Sequence, residues 1–175
     1  MFDPTVFDNL KVVIEGAVYD LDLEGLIYVS NRNDKVDLAN MSRTYQVSFH
    51  DKSRSEAFPL AYVKLEATVE NLAGELLQKE TFSHGCRLEI GFEIEIAHIE
   101  EQCRMLQETV EKIWGPERNI QQTISFEYGK SKQLYKSVIT ILFDRPIFEE
   151  NVDDLLEMIP YIVKTLDEFV NISRK

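Results

Sequence analysis

The sequence predicts an α+β fold: an antiparallel sheet of about five to seven strands, with two main helices at about 98–114 and 151–172 packed on one face. Three patterns carry that prediction. Leu88, Ile90, Phe92, Ile94 and Ile96 alternate with Arg87, Glu89, Glu93 and Glu95, the period of a strand with one buried face. Ile99, Cys103, Leu106, Val110 and Ile113 follow at alternating four- and three-residue steps, which makes one stripe of an amphipathic helix ending at Gly115-Pro116. Val152, Leu155, Leu156, Ile159, Ile162, Val163, Leu166 and Phe169 then form the apolar face of a second helix.

The remaining elements are placed in chain order. Lys11 to Tyr19 is rich in Val and Ile and reads as a strand, paired through a turn at Glu24-Gly25 with a second strand over Leu26 to Ser30. Tyr45, Val47 and Phe49 alternate with polar residues and give a third. His50 to Pro59 is charged and loop-like. Over Tyr62 to Glu80, alternating Val63, Leu65, Ala67 and Val69 suggest a hairpin turning at Asn71 to Gly74, with a helix over Glu66 to Lys79 as the alternative. Ile120 to Tyr128 and Leu134 to Phe143 form a further hairpin through the turn Gly129 to Gln133. Asn151 is placed to cap the last helix, with Asp153 and Asp154 at the positive end of its dipole. Pro160 removes one backbone donor inside that helix, so a kink or two abutting helices are expected there, and Ser173 to Lys175 should fray.

Composition bounds the class. The chain of 175 residues has no linker-like stretch, repeat or low-complexity tract, so residues 1–175 are expected to form one domain. Apolar residues at 44% are enough for a core, and no apolar run approaches the roughly 20 residues that cross a bilayer. Without a signal-like N-terminal stretch and with Cys86 and Cys103 as the whole thiol complement, the expectation is a soluble, cytoplasmic protein with reduced cysteines and no membrane partner. A net charge of −12 repels phosphate backbones, so nucleic acid is not expected as a partner, and Lys130, Lys132 and Lys136 read as a solvated turn.

No chemical motif is complete. Asp20, Asp22, Glu24 and Gly25 imitate the start of a calcium loop, but Asn31 stands where the closing bidentate glutamate belongs, and a hairpin turn is the simpler reading. His84, Cys86, His98 and Cys103 are zinc-ligand types at unsuitable spacing, since Cys103 belongs to the helix stripe. Cys86 with His84 lacks an orienting third group for nucleophilic catalysis. Glu89, Glu93 and Glu95 share a strand face, where crowded carboxylates could serve acid–base chemistry but more commonly meet water or cross-strand lysines. Glycine-rich phosphate and dinucleotide loops are lacking. No catalytic, cofactor-binding or metal-binding residue is therefore assigned, and no cofactor is expected.

The order strand, helix, strand, strand, helix over Leu88 to Ile172, in an acidic chain, resembles that of the small acidic chaperones of bacterial secretion and related domains. The resemblance implies a non-enzymatic, chaperone-like or regulatory module that binds a protein partner or itself, a homodimer included. The nearly all-round apolar stretch of Ile159, Tyr161, Ile162 and Val163 fits, because such a helix wants cover on more than one side. Two other classes stay open. One is a small-molecule carrier or an enzyme of unfamiliar type, with a cavity between sheet and C-terminal helix walled by Tyr45, Phe49, Phe92, Phe126, Tyr135 and Phe143; the other is an acidic inhibitor or immunity-type protein capping a basic enzyme. The helix stripe itself is testable: Leu106→Ala should cost about 2–5 kcal/mol in urea-unfolding stability.

Overall fold

The computed structural model describes residues 5–52, 58–77, 85–129 and 134–173. The described elements run α1 (Thr5–Leu23), β1 (Ile27–Asp37), β2 (Ser42–Asp51), β3 (Leu60–Ala67), α2 (Val69–Leu77), β4 (Arg87–Ile96), α3 (Ile99–Trp114), β5 (Asn119–Ser125), β6 (Tyr135–Leu142) and, after a single 3₁₀ turn, α4 (Val152–Ser173). The strands form one antiparallel sheet in the order β1-β2-β3-β4-β6-β5, with the helices packed against it. None of the described helices is long and apolar enough to cross a membrane.

The alternation in β4 dictates the layering. Leu88, Ile90, Phe92, Ile94 and Ile96 are all buried under the helices, as are Tyr45, Val47 and Phe49 of β2 and Ile139 and Ile141 of β6. Leu106 and Val110 of α3 enter the same core, and Phe169 of α4 meets Phe92 edge-on at 5.3 Å between ring centroids.

Several of these expectations are corrected by the structure. Lys11 to Tyr19 is not a strand but the middle of α1, because Phe7, Leu10, Ile14 and Val18 recur at three- and four-residue steps and all four are buried. Its β-branched residues fit strand propensity, yet the spacing of the apolar face decides. The expected hairpin at Glu24-Gly25 is accordingly a helix-to-strand turn, with Gly25 in the left-handed region at φ +80°. The hairpin at Asn71 to Gly74 is α2 instead: the Asn71 side chain accepts from the Thr68 N–H at 2.8 Å and from its hydroxyl at 3.0 Å, an arrangement that starts a helix. Asn151, finally, does not cap α4. Its Oδ1 accepts from the Phe148 N–H at 3.0 Å, one turn back, so it anchors the 3₁₀ turn of 149–151. Pro160 lies in α4, which runs as one helix through it. The strand over Ile120 to Tyr128 ends at Ser125; residues 53–57, 130–133 and 174–175, which carry parts of the expected loop, turn and frayed end, lie outside the described residues.

An ion cluster clasps α1 to the β1–β2 hairpin. Arg43 of β2 donates through Nε and Nη2 to both oxygens of Asp34 at 2.9 Å each, and through Nη1 to Asp8 of α1 at 2.9 Å. Lys11 of α1 reaches Asp34 at 2.7 Å, and the Arg43 guanidinium lies 4.9 Å from the Phe7 ring centroid. The Arg43 hydrogen bonds, followed by those of Lys11, hold the Asp34 carboxyl down at about 2.

The opposite face carries no helix among the described residues and is organised by Tyr62. Its ring crosses Gly91 of β4, where any side chain would collide with it, and its hydroxyl donates to Glu89 at 2.8 Å. Glu89 also meets Lys64 at 3.3 Å, and Glu93 meets Lys136 at 2.6 Å, so these two glutamates face cross-strand lysines.

Two predictions follow from these contacts. Asp34→Asn should lower stability at pH 7 by about 1 kcal/mol, a figure discounted for the solvent reaching this partly exposed carboxylate. Because the folded-state value lies below the ordinary one, that stabilisation is present above the normal carboxylate range and disappears as pH falls through about 2, where melting curves of variant and parent should converge. Gly91→Ala should cost about 1–3 kcal/mol in chemical denaturation, and Tyr62→Leu in the same chain should recover part of it.

Candidate functional site

Among the described residues a cleft of about 840 Å³ opens where α3 ends, β6 leaves the sheet and α4 begins. Each wall is positioned by a local device. Gly115, at φ +92°, ends α3 and donates its N–H to Glu111 at 2.9 Å, leaving Trp114 at the helix terminus. The chain from Phe143 to Phe148 is held against the start of β4 by reciprocal 2.8 Å hydrogen bonds between the Cys86 and Ile147 backbones. Gly85 permits this approach, since a Cβ there would stand 2.7 Å from Pro146 and 2.9 Å from the Ile147 carbonyl oxygen.

Aromatic rings form the floor. Trp114 packs against Tyr161 of α4 at 5.8 Å and against Phe143 at 6.4 Å between centroids, and its indole N–H donates to Thr165 Oγ1 at 2.9 Å. Thr165 in turn donates to the Tyr161 carbonyl at 2.7 Å, so the hydroxyl that receives the indole N–H is itself held in place. Tyr161 remains 48% exposed, which leaves ring surface open to the cleft. Arg118 lies over Phe143 with its guanidinium 5.4 Å from the centroid. The rim carries Arg118 and Arg145 against Asp144, Glu150, Asp154 and Glu157, an excess of two negative charges.

The residues considered from the sequence are not brought together here. Asp20 and Asp22 lie in the last turn of α1, and the Lys52 ammonium sits 3.9 Å from the Asp22 carboxylate. Cys86 and His98 flank opposite ends of ten-residue β4, which by strand rise is itself about 30 Å long, while Cys103 packs against the core from α3. His84 lies outside the described residues. Burial, and secondarily the Glu75 charge, pushes the Cys86 thiol up to about 12, which keeps it protonated and a poor nucleophile. Tyr45, Phe49 and Phe92 are fully buried in the packed core, and Phe126 stacks edge-on with Tyr135 at 6.0 Å near the end of β5. Of the expected cavity walls only Phe143 borders the cleft.

The cleft itself was not read from the sequence, although its residues bracket two visible signals. Trp114 immediately precedes the Gly115-Pro116 helix stop, and Phe143 to Phe148 combines aromatic and charged residues in a connection. Comparison with family models, curated proteins and solved structures finds no significant match.

Proposed function

We propose that this chain is a non-enzymatic protein-binding module that receives a positively charged segment of a partner in the cleft between α3 and α4. The observation that carries this reading is the aromatic floor of half-buried Trp114 and Phe143 with exposed Tyr161, inside a rim with excess carboxylate. Aromatic faces attract Lys and Arg side chains, and the field of a chain of net charge −12 favours approach of a cationic partner. Arg118 and Arg145 supply donors for the carbonyl oxygens or acidic side chains of the same segment. The reading includes a cytoplasmic setting, supported by two cysteines that are both free, and self-association as a homodimer.

Trp114 is the sole tryptophan, so the cleft carries its own fluorophore. Titration with a Lys- and Leu-containing peptide should change its emission with an affinity at least about tenfold above that for the Glu-substituted version. Reversing the rim with Asp154→Lys and Glu157→Lys should abolish the preference. Equal response to both peptides, or tighter binding of the acidic one, would reject the cationic-segment reading. Displacement by a small molecule but by neither peptide would favour a ligand carrier instead.

A further inference from the structure

The two edges of the sheet are built differently. At one edge β1 carries Arg32, Asp34, Lys35 and Asp37, and its register with β2 is interrupted by a bulge between Val29 and Asn31. Charges and bulges are the ordinary means by which a sheet edge is made unfit for further pairing. At the other edge β5 has seven residues with no charge, no proline and an uninterrupted register against β6. In a chain with 50 charged residues, 19 basic and 31 acidic, an edge strand without one stands out as unprotected.

We propose that two copies of this chain join antiparallel through β5, with Gln122 on the two-fold axis, to form one continuous sheet of twelve strands. This rests on the self-association part of the proposed function and is independent of the cleft. An isologous contact requires a strand that complements its own reverse, and β5 does so. Centred on Gln122, Ile120 meets Ile124 of the second copy, Gln121 meets Thr123, and Asn119 meets Ser125. The parity is also right. Ile120, Gln122 and Ile124 are the half-buried residues on the helix side, and each pairs with another of that set, so the helix layers of both copies fall on the same side. Gln122 is already held by α3, donating through Nε2 to the Cys103 carbonyl at 3.0 Å and to Gln107 at 3.0 Å, so little ordering of the strand remains to be done on association. Charge selects the second copy as occupant: a foreign partner steered by this chain's field would engage its carboxylates, whereas two acidic copies meet at least cost along an uncharged strip.

Sedimentation velocity tests this without any peptide or fluorophore. The wild-type chain should dimerise, more tightly as salt screens the remaining repulsion. Gln121→Lys with Thr123→Lys, both at exposed positions, places lysine opposite lysine at two points of the seam and should raise the dissociation constant at least about tenfold. Gln121→Lys with Thr123→Glu places opposite charges there and should restore the dimer, which also controls for folding. In the wild type, the amides of residues 119–125 should exchange more slowly with solvent above the dissociation constant than below it. A monomer at every concentration, or a dimer indifferent to the lysine pair with unchanged exchange in β5, overturns the proposal. Neither result bears on the cleft, whose response is read separately at Trp114.

Discussion

The fold depends on the burial of one face of β4. Its five inward side chains, Leu88 to Ile96, lie at the middle of the sheet with β3 on one flank and β6 on the other, and the helices compete for the same apolar surface. Full burial of side chains of this size contributes about 1.5–3 kcal/mol each before the entropy of ordering is counted. That central apolar ridge sets the register of its neighbours, since a slip of one residue would turn Phe92 and Ile94 to water and Glu93 to the core. With the register set, Phe169 finds Phe92 and α4 is aligned along the sheet.

From this arrangement the molecule acquires two unlike surfaces. The helix side hides apolar bulk and leaves its concavity where three segments meet around Trp114. The bare side is polar, and its carboxylates at Glu89 and Glu93 are each matched by a lysine from an adjacent strand. Such surface pairs contribute about 0–1 kcal/mol each. Their consequence is to keep an uncovered sheet face hydrophilic without leaving a strip of like charge along one strand. The cluster of Arg43, Asp34, Asp8 and Lys11 plays another part, since it joins the first helix to the farthest edge of the sheet.

Legibility in the sequence followed local periodicity. β2, β4 and α3 were readable because each buries a single face, and the side-chain spacing alone reports it. α1 was misread because Val12, Val13 and Ile14 form a β-branched run, while the helical signal lies in Phe7, Leu10, Ile14 and Val18 spread across the whole segment. Asn71 and Asn151 were misread for a common reason: an asparagine side chain serves turns, caps and reverse contacts equally, and only the neighbouring backbone decides among them. The cleft was invisible because its walls come from residues 113–118, 143–151 and 154–161, brought together by sheet order and not by spacing.

The crossing of Tyr62 over Gly91 has a further meaning at the level of inheritance. Each residue is the condition for the other: the ring can lie flat on the sheet only where the neighbouring strand has no side chain, and the bare glycine backbone is covered only while the ring is there. A lineage carrying this fold therefore cannot drift freely at either position. Substitution at 91 selects for a smaller residue at 62, and loss of the ring at 62 releases 91 from glycine, so the two positions should change as a linked pair among descendants of this chain.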